Sequence, residues 1–177
     1  MIGMIVAMTE LGVIGKGGTI PWRYPADMRR FKEMTMGSTV IMGRKTWDSI
    51  PDRFRPLPGR QNIILSTTWE TNIPHYIWRA RSVEEALSMV DKPDVWFIGG
   101  SRVYETGLQH AQKIDVTWVP DVLPIDGVSL MALPASGDVA LVYGVTLMPP
   151  FDQQVFKPGP RIVHPYDERL QLQTFER

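Results

Sequence analysis

An acid beside apolar residues, two cation-bearing junctions and a stiff arginine loop carry the chemistry of this sequence. Asp27 follows Ile20, Pro21 and Trp22 and falls early in an amphipathic helix that Pro25 opens, four residues before Phe31. A carboxylate and an aromatic ring therefore share one helix face. The helix dipole alone favours an acid near a helix start. Here Met28 and Phe31 put that acid beside core, where a carboxylate requires a hydrogen-bonding partner or a ligand.

Gly43-Arg44-Lys45-Thr46 directly follows the apolar Val40-Ile41-Met42. Two cations and a hydroxyl at a strand-to-helix junction meet unpaired backbone N–H groups and the positive helix end, which suits a phosphate. Solvated surface charge is the plain alternative. Ile98-Gly99-Gly100-Ser101 repeats the junction, with Arg102 next, and paired glycines let backbone approach a diphosphate. The spacing is not G-x-G-x-x-G, and two glycines also make an ordinary turn. Taken together, the two junctions point to a dinucleotide. In Arg55-Pro56-Leu57-Pro58-Gly59-Arg60 the prolines stiffen a loop from which Arg60 can fork onto a carboxylate, though a plain turn explains them equally. His75, His110 and His164 stand isolated, without ligand spacing or an obvious acid partner, which predicts surface or packing roles and no metal site. The six tryptophans read mostly as core.

The elements that must position these groups are short. Apolar, β-branched runs at Ile2–Met8, Thr39–Met42, Asn62–Thr67, Asp94–Ile98 and Lys113–Val119 have strand length. Helical spacing lies between them: Met28, Phe31 and Met34 after Pro25; Gly43 to Ile50; a Ser82/Glu85 capping box before Ala86, Leu87 and Val90; and Ser101 to Leu108. Strand alternating with helix predicts an α/β fold with a mostly parallel central sheet, whose ligands sit outside the carboxyl ends of the strands. Val139–Leu147 and Glu168–Glu176 lack helix pattern between them and predict a C-terminal antiparallel hairpin at the sheet edge.

The chain has 177 residues, which predicts a single domain over 1–177 that needs no disulfide. Nineteen Lys and Arg balance nineteen Asp and Glu, so the electrostatic footprint of a nucleic-acid or anionic-membrane binder is missing. Zero cysteines exclude a thiolate zinc site, a Cys nucleophile and an iron–sulfur cluster, so redox chemistry needs a borrowed cofactor. No leader pattern at Met1–Glu10 and no apolar run of about 18 residues predict a cytoplasmic protein without a membrane partner.

Taken in order, the motifs resemble the dihydrofolate reductase family. The likeness is carried by Ile5-Val6-Ala7, Val13-Ile14-Gly15, Pro21-Trp22, Asp27, Phe31, Val40 to Trp47, Leu57-Pro58-Gly59-Arg60, Asn62 to Ser66, Ile98-Gly99-Gly100 and Tyr104-Glu105. It covers residues 1 to about 120 and thins afterwards. The resemblance implies NADPH-dependent reduction of 7,8-dihydrofolate to tetrahydrofolate, by hydride transfer to C6 and protonation at N5, supplying one-carbon metabolism and thymidylate synthesis. Antifolate inhibitors would bind the same site, and a monomer is expected.

The resemblance also implies roles. Asp27 would bind the pterin and support N5 protonation, Thr117 would hydrogen-bond that acid, Trp22 would hold a nearby water, and Tyr104 would sit near the nicotinamide. Ile5, Met28, Phe31, Ile50 and Leu57 would form the folate slot, with Arg60 on the glutamate carboxylate and Arg55 assisting. Ala7 and Ile14 would meet the carboxamide through backbone, while Gly15, Lys16, Gly17, Gly18 and Thr19 form the mobile loop above it. Lys45, Thr46, Gly99, Gly100, Ser101 and Arg102 would hold the diphosphate, and Arg44, Thr67 and Arg81 the 2′-phosphate that favours NADPH over NADH. Gly43, Ser66, Ile98 and Val103 complete the cofactor set. Many bacterial relatives clasp the mobile loop with a Gly-Asp pair; here Asp126-Gly127-Val128 carries its acid before the glycine, which predicts a differently stabilised closure. Two rival readings are a similarly folded reductase of a riboflavin-pathway pyrimidine and a binding module without turnover. Asp27 beside Trp22, with Arg60 placed for a glutamate tail, speaks against the first; the intact set of Asp27, Thr117, Trp22 and cofactor residues speaks against the second.

Overall fold

The computed structural model describes residues 1–69, 74–121 and 144–177. In chain order the elements are β1 (Ile2–Met8), β2 (Val13–Lys16), α1 (Pro25–Thr35), β3 (Thr39–Gly43), α2 (Arg44–Ser49), a 3-10 turn (Asp52–Phe54), β4 (Gln61–Leu65) and β5 (Trp78–Ala80). There follow α3 (Val83–Ser88), β6 (Val95–Phe97), α4 (Ser101–Gly107), β7 (Lys113–Trp118), β8 (Val145–Leu147), β9 (Lys157–Pro158), β10 (Ile162–His164) and β11 (Asp167–Glu176).

Among the described residues, one sheet runs in the order β10, β11, β7, β1, β6, β3, β4, β5, with β9 also beside β11. From β7 to β5 every neighbour pair is parallel, whereas β11 is antiparallel to β7, β9 and β10. Strands buried on both faces explain the continuous apolar runs. Successive side chains alternate between faces, so Met4, Val6, Ile41 and Ile63 join one core cluster while Ile5, Val40, Met42 and Ile64 join the other.

The predicted C-terminal hairpin exists, but with different partners. Residues 139–143 lie outside the described residues, and Val145–Leu147 pairs with β2 in a separate two-stranded sheet. The hairpin partner of β11 is β10, and β11 also docks on β7. The expected pairing rested on strand pattern alone, which reports faces and not partners. In the capping box, Ser82 accepts from Glu85 N as expected, but the Glu85 carboxylate reaches back to the N–H of Arg81, and α3 ends before Val90. The tryptophans also depart from expectation: only Trp47 and Trp96 are buried, and Trp78 is exposed on the edge strand β5.

Candidate active site

Asp27 lies in the first turn of α1, where Pro25 supplies the helical start and no side chain caps the end. Its Oδ1 accepts a hydrogen bond of 2.6 Å from the Thr117 hydroxyl. Thr117 is buried on β7, in register with Ala7 of β1. The bond therefore ties the helix to the sheet beside two adjacent strands. Burial pushes the Asp27 carboxyl above its ordinary value; the Thr117 hydrogen bond, Arg30 and His164 pull it down, and the Asp115 charge pushes it up. Trp22, half-buried, lies in the segment between β2 and α1.

Tyr104 on α4 is buried and donates its hydroxyl hydrogen to the Ile5 carbonyl at 2.8 Å. Burial first, and then the Asp27 charge, push this phenol far above the usual tyrosine range, so it stays protonated. Gly99 packs under the same ring: at φ +109°, an added Cβ would lie 3.3 Å from the Tyr104 hydroxyl oxygen.

Of the residues expected in an apolar slot, Ile5, Phe31, Ile50 and Leu57 share one cluster. Met28 stands apart from it, 58% exposed, so the predicted stripe with Phe31 and Met34 breaks at its first member. Arg60 reaches over the Phe31 ring at 5.8 Å, donating to Thr35 Oγ1 at 3.0 Å and to the Pro58 carbonyl at 3.1 Å. Burial lowers the pKa of its guanidinium, so a charged partner there is favoured. Arg55 is occupied differently: it pairs with Asp52, lies 3.7 Å from Asp48 and donates to the Trp47 carbonyl.

The two glycine junctions meet. Gly43 N donates to the Gly99 carbonyl at 2.8 Å, and a Cβ at Gly100 would sit 3.6 Å from Thr46 Oγ1. A Cβ at Gly43 would lie 3.3 Å from Val103, so small residues keep this cradle open. Gly43 and Gly100 are the N-caps of α2 and α4, and neither makes a side-chain cap bond. Ser101 donates to the Leu147 carbonyl at 2.8 Å, joining α4 to the small sheet, while Lys45 and Arg102 are exposed and Ile98 is half-buried. Beside the cradle, register aligns Gly43 with Leu65 and Leu65 with Ala80. The next residues, Arg44, Ser66 and Arg81, consequently line up at three neighbouring carboxyl ends, with Thr67 one step beyond. Arg44 Nε bonds both Asp48 oxygens at 2.8 and 2.9 Å, and its guanidinium stacks 3.8 Å from the Trp69 ring centroid.

Ala7 and Ile14 are half-buried, Ile14 against the first core cluster. Lys16 to Thr19 form a tight turn, with reciprocal backbone bonds and positive φ at Gly17 and Gly18, the backbone of a type I′ turn that glycine suits. Its Gly17 N donates to the Gly144 carbonyl. Asp126-Gly127-Val128 lies outside the described residues.

Three groups near Asp27 escaped the sequence reading. Arg30 and Asp115 form a buried ion pair of 2.7 Å. His164 is 2% exposed, with Asp27 among the charges acting on it, rather than isolated from acids. The available signal was spacing: Arg30 is one helical turn after Asp27, and Asp115 is two residues before Thr117 on the same strand face. His110 also has an acid, Glu84, at 3.5 Å.

The dihydrofolate reductase family model matches residues 1–130. Dihydrofolate reductase of Mycobacterium tuberculosis is 47% identical over 124 residues, covering 70% of this chain and 74% of the relative. That of Mycobacterium leprae is 44% identical over 127 residues, with the same two coverages of 70% and 74%. Among solved structures, dihydrofolate reductase from Enterococcus faecalis, complexed with NADP(H) and RAB-propyl, matches with a TM-score of 0.78 at 27% identity, covering 100% of this chain and 96% of that one.

Proposed function

The chain belongs to the dihydrofolate reductase family, and from that membership we infer that it reduces 7,8-dihydrofolate to tetrahydrofolate with NADPH, serving one-carbon metabolism and thymidylate synthesis. The observation that carries this reading is the Asp27–Thr117 bond, which holds a partly buried carboxylate next to the apolar slot. Ionised Asp27 accepts two hydrogen bonds from the pterin and supports protonation at N5, and Thr117 fixes the orientation of its carboxylate. Trp22 holds a water beside the ring. Ile5, Phe31, Ile50 and Leu57, with Met28 at the exposed lip, grip the pterin and its benzoyl extension; Arg60 takes the glutamate carboxylate. Arg55 assists only by bracing the loop, because its guanidinium is already engaged.

The glycine cradle fits a dinucleotide: a side chain at Gly43 would close it, and two uncapped helix starts present N–H groups there. NADPH, when bound, supplies hydride to C6 of the pterin. Gly43, Lys45, Thr46, Gly99, Gly100, Ser101, Arg102 and Val103 hold the diphosphate; Arg44, Ser66, Thr67 and Arg81 receive the 2′-phosphate. Ala7, Ile14, Ile98 and Tyr104 line the nicotinamide end under the Gly15 to Thr19 turn. We further propose one catalytic domain over 1–177, acting as a cytoplasmic monomer, bound by antifolates and without nucleic-acid or membrane partners. Balanced charge supports the lack of a nucleic-acid partner, and among the described residues no helix is long and apolar enough to cross a membrane.

Spectrophotometric NADPH oxidation tests the reading. Turnover that depends on dihydrofolate is expected; oxidation only with a riboflavin-pathway pyrimidine, or none with either, overturns it.

A further inference from the structure

Two rungs join α1 to β7. The first is Asp27 to Thr117, a hydrogen bond of 2.6 Å. The second is Arg30 to Asp115, an ion pair of 2.7 Å whose side chains are 16% and 5% exposed. The spacing makes them successive: i and i+3 on a helix lie on one face, and alternate residues on a strand do the same. The helix reads 27 then 30 where the strand reads 117 then 115, so the ionic rung sits directly behind the acid. The Thr174 hydroxyl lies 3.5 Å from the other Asp115 oxygen.

We propose that Arg30 is a positioning residue for Asp27: paired with Asp115, it offsets the negative charge of that second buried carboxylate, which would otherwise oppose the charged form of Asp27. This rests on the reading of Asp27 as the substrate-facing acid. A second buried carboxylate left without its cation disfavours the charged form of the first. The charges acting on Asp27 come from its own helix and two strands, Arg30 from α1, Asp115 from β7 and His164 from the end of β10, while Tyr104 on α4 is uncharged and is itself acted on by Asp27. His164 accepts from Tyr166 N through Nδ1, which leaves Nε2 as the protonated nitrogen of a neutral ring. Burial lowers its pKa, and Arg30 stands before it among the cations that pull the Asp27 carboxyl down.

The test is titration of Asp27 in the unliganded protein carrying carbon-13-labelled aspartate carboxyls, its resonance identified by loss in Asp27→Asn. Arg30→Gln is expected to raise the Asp27 midpoint by about one pH unit, Arg30→Lys to restore it, and Asp115→Asn to lower it. A midpoint that stays put in Arg30→Gln, or that rises or stays put in Asp115→Asn, overturns the proposal. If Arg30→Gln does not fold, Asp115→Asn decides alone. Because no substrate is present, failure of dihydrofolate turnover would overturn the proposed function and leave this titration standing.

Discussion

Thr117 donates to Asp27 across 90 residues of sequence, and the 2.6 Å bond holds a carboxylate where burial works against its charge. The bond orients one oxygen of the carboxylate. The orientation of the acid is thus set by a strand remote from it in sequence.

Asp27→Asn keeps an acceptor for Thr117 and is expected to fold. At neutral pH its reduction rate should fall by roughly 10²–10⁴, the usual worth of positioned proton assistance, and recover in part at low pH as N5 is protonated from solvent. Single-turnover NADPH oxidation across pH measures this; wild-type rates at pH 7 would remove Asp27 from the mechanism.

The same substitution should stabilise the fold at neutral pH. A folded pKa above the ordinary value means that the folded state binds more protons, so stability declines as pH rises through that window, and the cost is complete above it. Below the ordinary carboxyl value the cost vanishes. Thermal melts should therefore show Asp27→Asn gaining on wild type at neutral pH and losing that gain in acid.

Arg60→Leu is expected to raise KM for dihydrofolate by roughly 10- to 150-fold, the equivalent of about 1.5–3 kcal/mol for a charge-assisted hydrogen bond. A pterin lacking the glutamate tail should be much less affected. Thr35 and Pro58 hold the guanidinium over Phe31 before any ligand arrives, so the loss should fall on KM more than on kcat. Equal losses for both substrates would place Arg60 outside the tail site.

Arg44→Ala should weaken NADPH by about tenfold relative to NADH, a discounted value because the group is partly exposed, and the difference should shrink as salt rises. Its Nε is spent on Asp48 while Trp69 supports the plane, which leaves the terminal nitrogens for a phosphate. Dissociation constants for both cofactors at two salt concentrations check it. Equal weakening would make Arg44 a structural residue.

Tyr104→Phe leaves the buried Ile5 carbonyl without its donor, at an expected cost of about 1–3 kcal/mol in unfolding free energy. Gly99→Ala crowds the same hydroxyl from a backbone conformation that suits glycine, and should lower stability further. Denaturant titration of the two variants and of the double variant measures their coupling; strict additivity would mean that the ring and the glycine act independently.

Much of the frame was legible in the chain itself. Apolar runs of strand length, Pro25 at a helix start and glycines at strand ends are local signals, because side-chain periodicity and backbone freedom act within a few residues. The acid, the two junctions and the arginine loop were visible for the same reason, and ordered motifs over two thirds of the chain made the family plain. Tertiary structure decided what depends on partners distant in sequence: that β11 pairs with β10 and β7 while Val145–Leu147 pairs with β2, that Arg55 turns to Asp52 while Arg60 stays over Phe31, and that Met28 faces solvent. It also brought Arg30, Asp115 and His164 around Asp27. A charge reports its type in the sequence, but its effect on another charge depends on distance and on the water between them, and folding alone sets both.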